Sequence, residues 1–128
     1  MKNHRESPEI WFKPSPKASF DVLLELIVSK KLFTSPRLGA RDELHPKGYK
    51  RGQVATLRLF DDMGGEKVSL KIIIEDVKVR RLKTIEESDL VDSHFYRQAK
   101  DLQEDLSFFE GQDIMPEEDV SLISFSYL

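Results

Sequence analysis

The 128-residue sequence contains no cysteine, which excludes disulfides, thiolate metal ligands and cysteine nucleophiles. The lack of cysteine fits a reducing compartment, and we expect a cytoplasmic protein. No apolar run approaches the roughly 18 residues that a membrane-spanning helix needs. The N-terminus is polar over residues 1–6 and predicts no signal peptide. We therefore expect no membrane association.

Metal-ligand spacing is also lacking. The three histidines, His4, His45 and His94, lie far apart in the sequence, so we predict no metal site and no cofactor. Hydrophobic residues make up 39% and charged residues 34%, as is typical of globular proteins. The length predicts one domain over residues 1–128, with residues 1–8 as a flexible N-terminus. The oligomeric state is left open.

Charge is distributed unevenly although the net charge is only −3. Residues 30–51 contain seven lysines and arginines against two acids, whereas residues 86–119 contain twelve acids against two bases. The basic part lies within the stretch 29–54, whose three glycines and two prolines predict a long loop. A long basic loop is a candidate anion-binding edge, and the acidic part is interpreted as a solvated surface.

Hydrophobic periodicity predicts the other elements. An amphipathic helix starts at Ser15–Pro16 and ends near Val28, and a second one covers residues 95–109 and ends at Gly111. Thr84 matches the N-cap of a capping box that starts a short helical turn. Strands are predicted at 10–13, 54–60, 68–79 and 120–127, the middle two forming a hairpin with a bulge near 75–76. The order indicates an α+β fold, a small β-barrel flanked by helices.

Two segments form a recognisable motif pattern. The first is Ser29-Lys30-Lys31-Leu32-Phe33-Thr34-Ser35-Pro36-Arg37, a Lys/Thr/Arg segment after the first predicted helix. The second is Tyr49-Lys50-Arg51-Gly52-Gln53-Val54. Together with the last predicted strand, they resemble the motifs of the ASCH domain family, which belongs to the PUA-like superfamily. The sequence departs from the motif, with Ser29 at the usual glycine, Leu32 at the first threonine and Pro36 as an added residue. The resemblance covers residues 9–127 and implies a PUA-like β-barrel.

The resemblance also implies a basic cleft that binds RNA or a nucleotide-like ligand. The predicted binding residues comprise the motif residues, the neighbouring basic side chains and one aromatic residue. They are Lys30, Lys31, Thr34, Arg37, Arg41, Tyr49, Lys50 and Arg51. Phosphate would be attracted by the cations, and Tyr49 is available to stack on a base. Trp11 is also able to stack on a base, but we expect it in the core.

An enzyme is the alternative, because one branch of the family resembles acetylcytidine amidohydrolases. The resemblance assigns the base to Lys31 and the nucleophile to Thr34. The family's glutamate has no clean counterpart here; Asp92 is nearest as the acid, with Glu87 and Asp89 as further candidates. The third hypothesis is a protein-interaction module.

Overall fold

The computed structural model describes residues 8–41 and 48–128. Within these residues, five strands form one curled sheet, a half-barrel. The strands are β1 (Glu9–Phe12), β2 (Thr34–Leu38), β3 (Val54–Phe60), β4 (Glu66–Arg81) and β5 (Asp119–Tyr127). Their order across the sheet is β1-β3-β4-β5-β2; β1 pairs parallel with β3, and the other three pairings are antiparallel. The predicted α+β class is confirmed.

Three α-helices accompany the sheet in the described part of the chain. They are α1 (Phe20–Val28), the four-residue α2 (Glu87–Leu90) and α3 (Ala99–Glu110). Short 3-10 turns at Leu82–Thr84 and Val91–Ser93 flank α2. None of the helices in residues 8–41 and 48–128 has the length and apolar character to cross a membrane.

The predicted bulge in β4 is present. The pairing of β4 with β5 shifts register between Ile74 and Asp76, as the change of the apolar phase predicted. Before the shift Ile72 and Ile74 are fully buried, and after it Val77 is half-buried on the other parity. The extra residue therefore keeps apolar side chains directed inward along a strand that bends.

Three local predictions were wrong. The stretch 29–54 is not one loop, because residues 34–38 form β2 and pair antiparallel with β5. Pro36 made a strand look improbable there, but β2 is an edge strand, where a missing N–H donor is tolerated. Helix α1 begins after Ser19, whose Oγ accepts a hydrogen bond from Val22 N, and not at Ser15. The capping box belongs to Glu86 and Asp89, and not to Thr84.

Two groups of buried side chains fill the interior. The barrel cluster lies inside the curled sheet and under α1; it comprises Ile10, Phe12, Ala18, Leu23, Ile27, Leu32, Tyr49, Ala55, Leu57, Leu59, Ile72, Ile74, Ile123 and Phe125. The α3 cluster packs beneath α3 and comprises Leu82, Ile85, Leu90, Leu102, Leu106, Ile114, Val120 and Leu122. Strand β5 contributes to both clusters and so connects them.

The C-terminal end of α1 carries a non-glycine residue where glycine is favoured. Lys30 N donates to Ile27 O and Lys31 N donates to Leu26 O, which is the hydrogen-bond pattern of a Schellman motif. Lys30 occupies the left-handed position of this motif with φ of 59°. A lysine pays a steric penalty in this region because of its Cβ atom.

Replacing Lys30 with glycine is therefore expected to stabilise the protein by about 1 kcal/mol, since the strain at the left-handed position disappears. Loss of a cation near the helix C-terminus offsets a few tenths of that gain. Urea denaturation of the purified variant measures the change. Lys31→Gly is the matched control and is expected to stabilise nothing, because Lys31 lacks positive φ. Equal effects of both substitutions would contradict the strain argument.

Candidate ligand-binding cavity

A partly open cavity of about 360 Å³ lies between strands β1 and β2 and helix α3. Five aromatic rings contribute to its walls, which makes the lining mainly apolar. The cations on its walls are Lys13, Arg37 and Arg41, and Glu110 is the single carboxylate among its described lining residues. The lining residues are Trp11, Phe12, Lys13, Ala18, Leu23, Thr34, Ser35, Pro36, Arg37, Leu38, Arg41, Phe95, Tyr96, Leu106, Phe109 and Glu110.

Arg37 spans the gap between the two edge strands of the sheet. From β2 its Nε donates to Ser35 Oγ at 2.6 Å, and its Nη2 donates to the Trp11 carbonyl oxygen on β1. The guanidinium carbon also lies 5.0 Å from the centre of the Phe12 ring, a cation–π distance. Strands β1 and β2 do not pair with each other, so this side chain bridges the open side of the half-barrel.

Burial lowers the pKa of Arg37 to about 10, and the charge of Arg41 acts in the same direction. The guanidinium therefore stays protonated at neutral pH. Its Nη1 makes no hydrogen bond to the described residues, whereas Nε and Nη2 are held. The result is a partly desolvated cation with a fixed orientation and donors still available to an anion.

Hydrogen bonds to residues of β5 and β2 hold Arg41 in place. Its backbone N donates to Ser121 Oγ at 2.7 Å, and its Nε donates to Leu38 O at 2.9 Å. The buried Ser121 in turn donates from Oγ to Gly39 O at 2.7 Å. Ser121 thus joins β5 to the segment after β2. Sequence reasoning did not select it, because a serine in a strand gives no separate signal.

The structure brings together three of the predicted binding residues. Thr34, Arg37 and Arg41 line the cavity, and Thr34 is only 6% exposed. Tyr49 is buried in the barrel cluster, where its hydroxyl donates to Glu9 O at 2.7 Å. The other predicted binding residues are exposed and do not belong to the lining; they are Lys30, Lys31, Lys50 and Arg51. Their role in binding stays a prediction.

The predicted catalytic residues are not gathered around the cavity. Thr34 is on its wall, but Lys31 and Asp92 are exposed and lie outside the lining. The carbonyl oxygen of Lys31 lies 2.6 Å from His94 Nε2, which donates to it. Of the further candidates, Asp89 accepts from Glu86 N as a helix cap. The carboxylate that the structure does place on the wall is that of Glu110.

Aromatic side chains on the wall were missed or misassigned in the sequence. Trp11, expected in the core, is 44% exposed and lines the cavity. Its Nε1 donates to Glu9 Oε1 at 2.7 Å, and its ring contacts Phe60 at a centroid distance of 4.7 Å. Phe109, the last residue of the amphipathic helix predicted over 95–109, is 47% exposed at the cavity. The hydrophobic periodicity of α3 predicted which face of the helix is buried, but it did not indicate that a cavity lies next to that face.

Tyr96 connects the cavity wall to a buried carboxylate. Its hydroxyl donates to Asp105 Oδ2, which also accepts from Ser15 Oγ at 2.9 Å. Burial raises the pKa of Tyr96, and the hydrogen bond to Asp105 raises it further. The phenol therefore remains a neutral donor. Within the described residues, no group of three or more His, Cys, Asp or Glu side chains is arranged to hold a metal ion.

Comparison with solved structures shows that the fold is similar to that of an ASCH domain. No family model matches the sequence, and no curated protein matches it either. A solved ASCH domain from Lactobacillus crispatus JV V101 superposes with a TM-score of 0.62 at 13% identity, over 94% of this chain and 78% of that one. A DUF984 protein from Enterococcus faecalis V583 gives 0.57 at 17% identity, over 98% and 82%. The fold implied by the sequence resemblance is confirmed.

Proposed function

We propose that the cavity binds a nucleotide-like ligand, either a free nucleotide or an unpaired nucleotide of RNA. The observation that carries this proposal is the fixed guanidinium of Arg37, whose Nη1 makes no hydrogen bond to the described residues, next to several aromatic side chains on the cavity wall. A phosphate accepts charge-assisted hydrogen bonds from such a group, and a base stacks on aromatic rings. A fold resembling a solved ASCH domain is compatible with this ligand class.

The size and charge of the site favour a local contact over a wide nucleic-acid surface. The cavity holds about 360 Å³, in the range of small-ligand pockets. The chain as a whole is net negative, which opposes non-specific binding to a polyanion. We therefore place a single nucleotide in the cavity, with any further RNA outside it.

Titration of the wild-type protein with a small ligand set tests the proposal. Trp11 is the single tryptophan and lines the cavity, so its fluorescence reports occupancy. Cytidine monophosphate is expected to bind most tightly, since it offers both a base and a phosphate, and cytidine and inorganic phosphate are expected to bind more weakly. A short single-stranded RNA distinguishes free nucleotide from RNA. If none of the four changes the fluorescence or releases heat in calorimetry, the proposal fails.

Amide hydrolysis is the second candidate, and Thr34 is the observation that favours it. Its side chain lines the same cavity as Arg37, which is able to stabilise an oxyanion. Incubation with acetylcytidine, followed by chromatography for released cytidine, tests it directly. Turnover that disappears in Thr34→Val would establish the enzyme, and its absence in the wild type would remove acetylcytidine as a substrate.

Binding of cytidine monophosphate is expected to weaken as the pH rises through about 10, the pKa of Arg37. Below that value the guanidinium is protonated and attracts phosphate, and above it the charge is lost. The ligand does not titrate in this range. Calorimetry at several pH values measures the effect, with circular dichroism verifying that the protein stays folded. Constant affinity across pH 10 in the folded protein would contradict the assigned role of Arg37.

A further inference from the structure

Asp105 on α3 is a buried carboxylate with an incomplete set of partners. It is only 2% exposed, and its buried Oδ1 has no hydrogen-bond partner among the described residues. Its Oδ2 accepts from Tyr96 and from Ser15. Among the described residues, no lysine or arginine forms an ion pair with it, whereas the nearby Lys17 pairs with Glu104 instead.

Such a group is unfavourable for stability. A carboxylate taken out of water without a cation loses more solvation than two hydroxyl donors restore. An apolar residue at this position of α3 would pack without that loss. The presence of a buried acid beside the cavity therefore indicates a role that a leucine cannot fill.

We propose that Asp105 is a positioning residue of the cavity, holding Tyr96 and the segment around Ser15 in place for the ligand. The inference rests on the proposed function for the identity of that ligand. Tyr96 belongs to the short connection between the 3-10 turn Val91–Ser93 and α3. Its ring lines the cavity, and the hydrogen bond from its hydroxyl to Asp105 fixes the ring against α3.

The hydrogen bond from Ser15 to Asp105 fixes a second part of the cavity wall. Ser15 lies between β1 and α1, and the neighbouring Phe12 and Ala18 line the cavity. Through one carboxylate oxygen, α3 is thus joined to both the aromatic wall and the β1–α1 connection. A cavity whose walls are fixed before binding loses less entropy when the ligand arrives.

An exposed contact between the same segments offers a matched comparison. Lys17 Nζ lies 2.9 Å from Glu104 Oε1, next to Asp105 in the sequence but on the surface. Exposed ion pairs contribute little to stability, and neither residue lines the cavity. Glu104→Gln therefore removes a negative charge from the same turn of α3 without affecting Tyr96.

The experiment compares Asp105→Asn, Tyr96→Phe, the double variant and Glu104→Gln by fluorescence titration with cytidine monophosphate. Tyr96→Phe is expected to weaken binding about tenfold, the size of one charge-assisted hydrogen bond. Asp105→Asn is expected to weaken it about threefold, because the amide oxygen still accepts from Tyr96 but carries no charge. The double variant is expected to bind no more weakly than the weaker single variant, because the two residues act through one contact. Glu104→Gln is expected to bind like the wild type. Denaturation curves ensure that every titration uses folded protein.

Wild-type affinity in Asp105→Asn would overturn the proposal, as would additive losses in the double variant.

A ligand-free measurement separates this inference from the proposed function. In protein labelled at tyrosine, Asp105→Asn is expected to shift the Tyr96 Cζ resonance and to increase quenching of Trp11 by acrylamide. If the wild type does not bind cytidine monophosphate, the Tyr96 Cζ resonance and the acrylamide quenching of Trp11 still test whether Asp105 fixes the cavity wall. Unchanged values would then overturn the positioning role on their own.

Discussion

Replacing Arg37 with alanine is expected to weaken the binding of cytidine monophosphate by about 10- to 150-fold, the largest effect of any substitution in the cavity. Hydrogen bonds to a charged group contribute about 1.5–3 kcal/mol, which converts to that range of affinity. The phosphate would lose the Arg37 Nη1 donor and the positive charge together. Fluorescence titration at low salt measures the loss of affinity. At higher salt the difference in affinity between the wild type and Arg37→Ala is expected to be smaller, because salt screens the attraction between the guanidinium and the phosphate.

Arg80→Ala is the matched control, since Arg80 is an exposed arginine on β4 outside the lining. It is expected to leave the affinity unchanged. Arg37→Lys keeps the charge but cannot reach Ser35 and the Trp11 carbonyl with a planar fork, so we expect intermediate affinity. Arg37→Ala protein that is folded and binds like the wild type would remove the central argument for the proposed function.

Replacing Leu57 with alanine is expected to lower the free energy of unfolding by about 2–5 kcal/mol, the largest stability effect we predict. Leu57 is fully buried in the barrel cluster on β3, between β1 and β4. The shortened side chain loses transfer free energy and leaves a void in a closely packed region. Urea denaturation followed by circular dichroism measures the change.

Leu128→Ala makes the same chemical change at a residue that is 63% exposed. Its expected effect is below about 0.5 kcal/mol. A similar loss in both variants would mean that the interior of the half-barrel does not carry the stability assigned to it here.

The elements predicted correctly are those whose own sequence contains the whole signal. Strand β3 has the predicted bounds, and Gly111 ends α3 in the left-handed region as expected. Even the bulge in β4 is visible locally, because the apolar phase changes at that point. Strand β2 was missed since its assignment depends on β5, more than 80 residues away in the sequence. Ser15 was predicted to cap a helix, but its hydroxyl donates a hydrogen bond to Asp105.

The candidate site was predictable only in part for the same reason. Thr34, Arg37 and Arg41 came from a contiguous segment, and the structure places all three on the cavity. The other walls come from β1 and from α3, so Trp11 and Tyr96 meet that segment only in the folded chain. Periodicity shows which face of a helix is apolar, but it cannot show where two packed groups leave a space between them.

The cavity lies where the barrel cluster meets the α3 cluster. Phe12 and Leu23 on its walls belong to the first cluster and Leu106 to the second. The wall residues Trp11, Phe109 and Glu110 belong to neither cluster, so they can change size without opening a void inside either one. Variation in ligand preference is thereby separated from the stability of the barrel. A lineage with this architecture can diversify what it recognises by exchanging a few wall residues, and a protein engineer can use the same freedom.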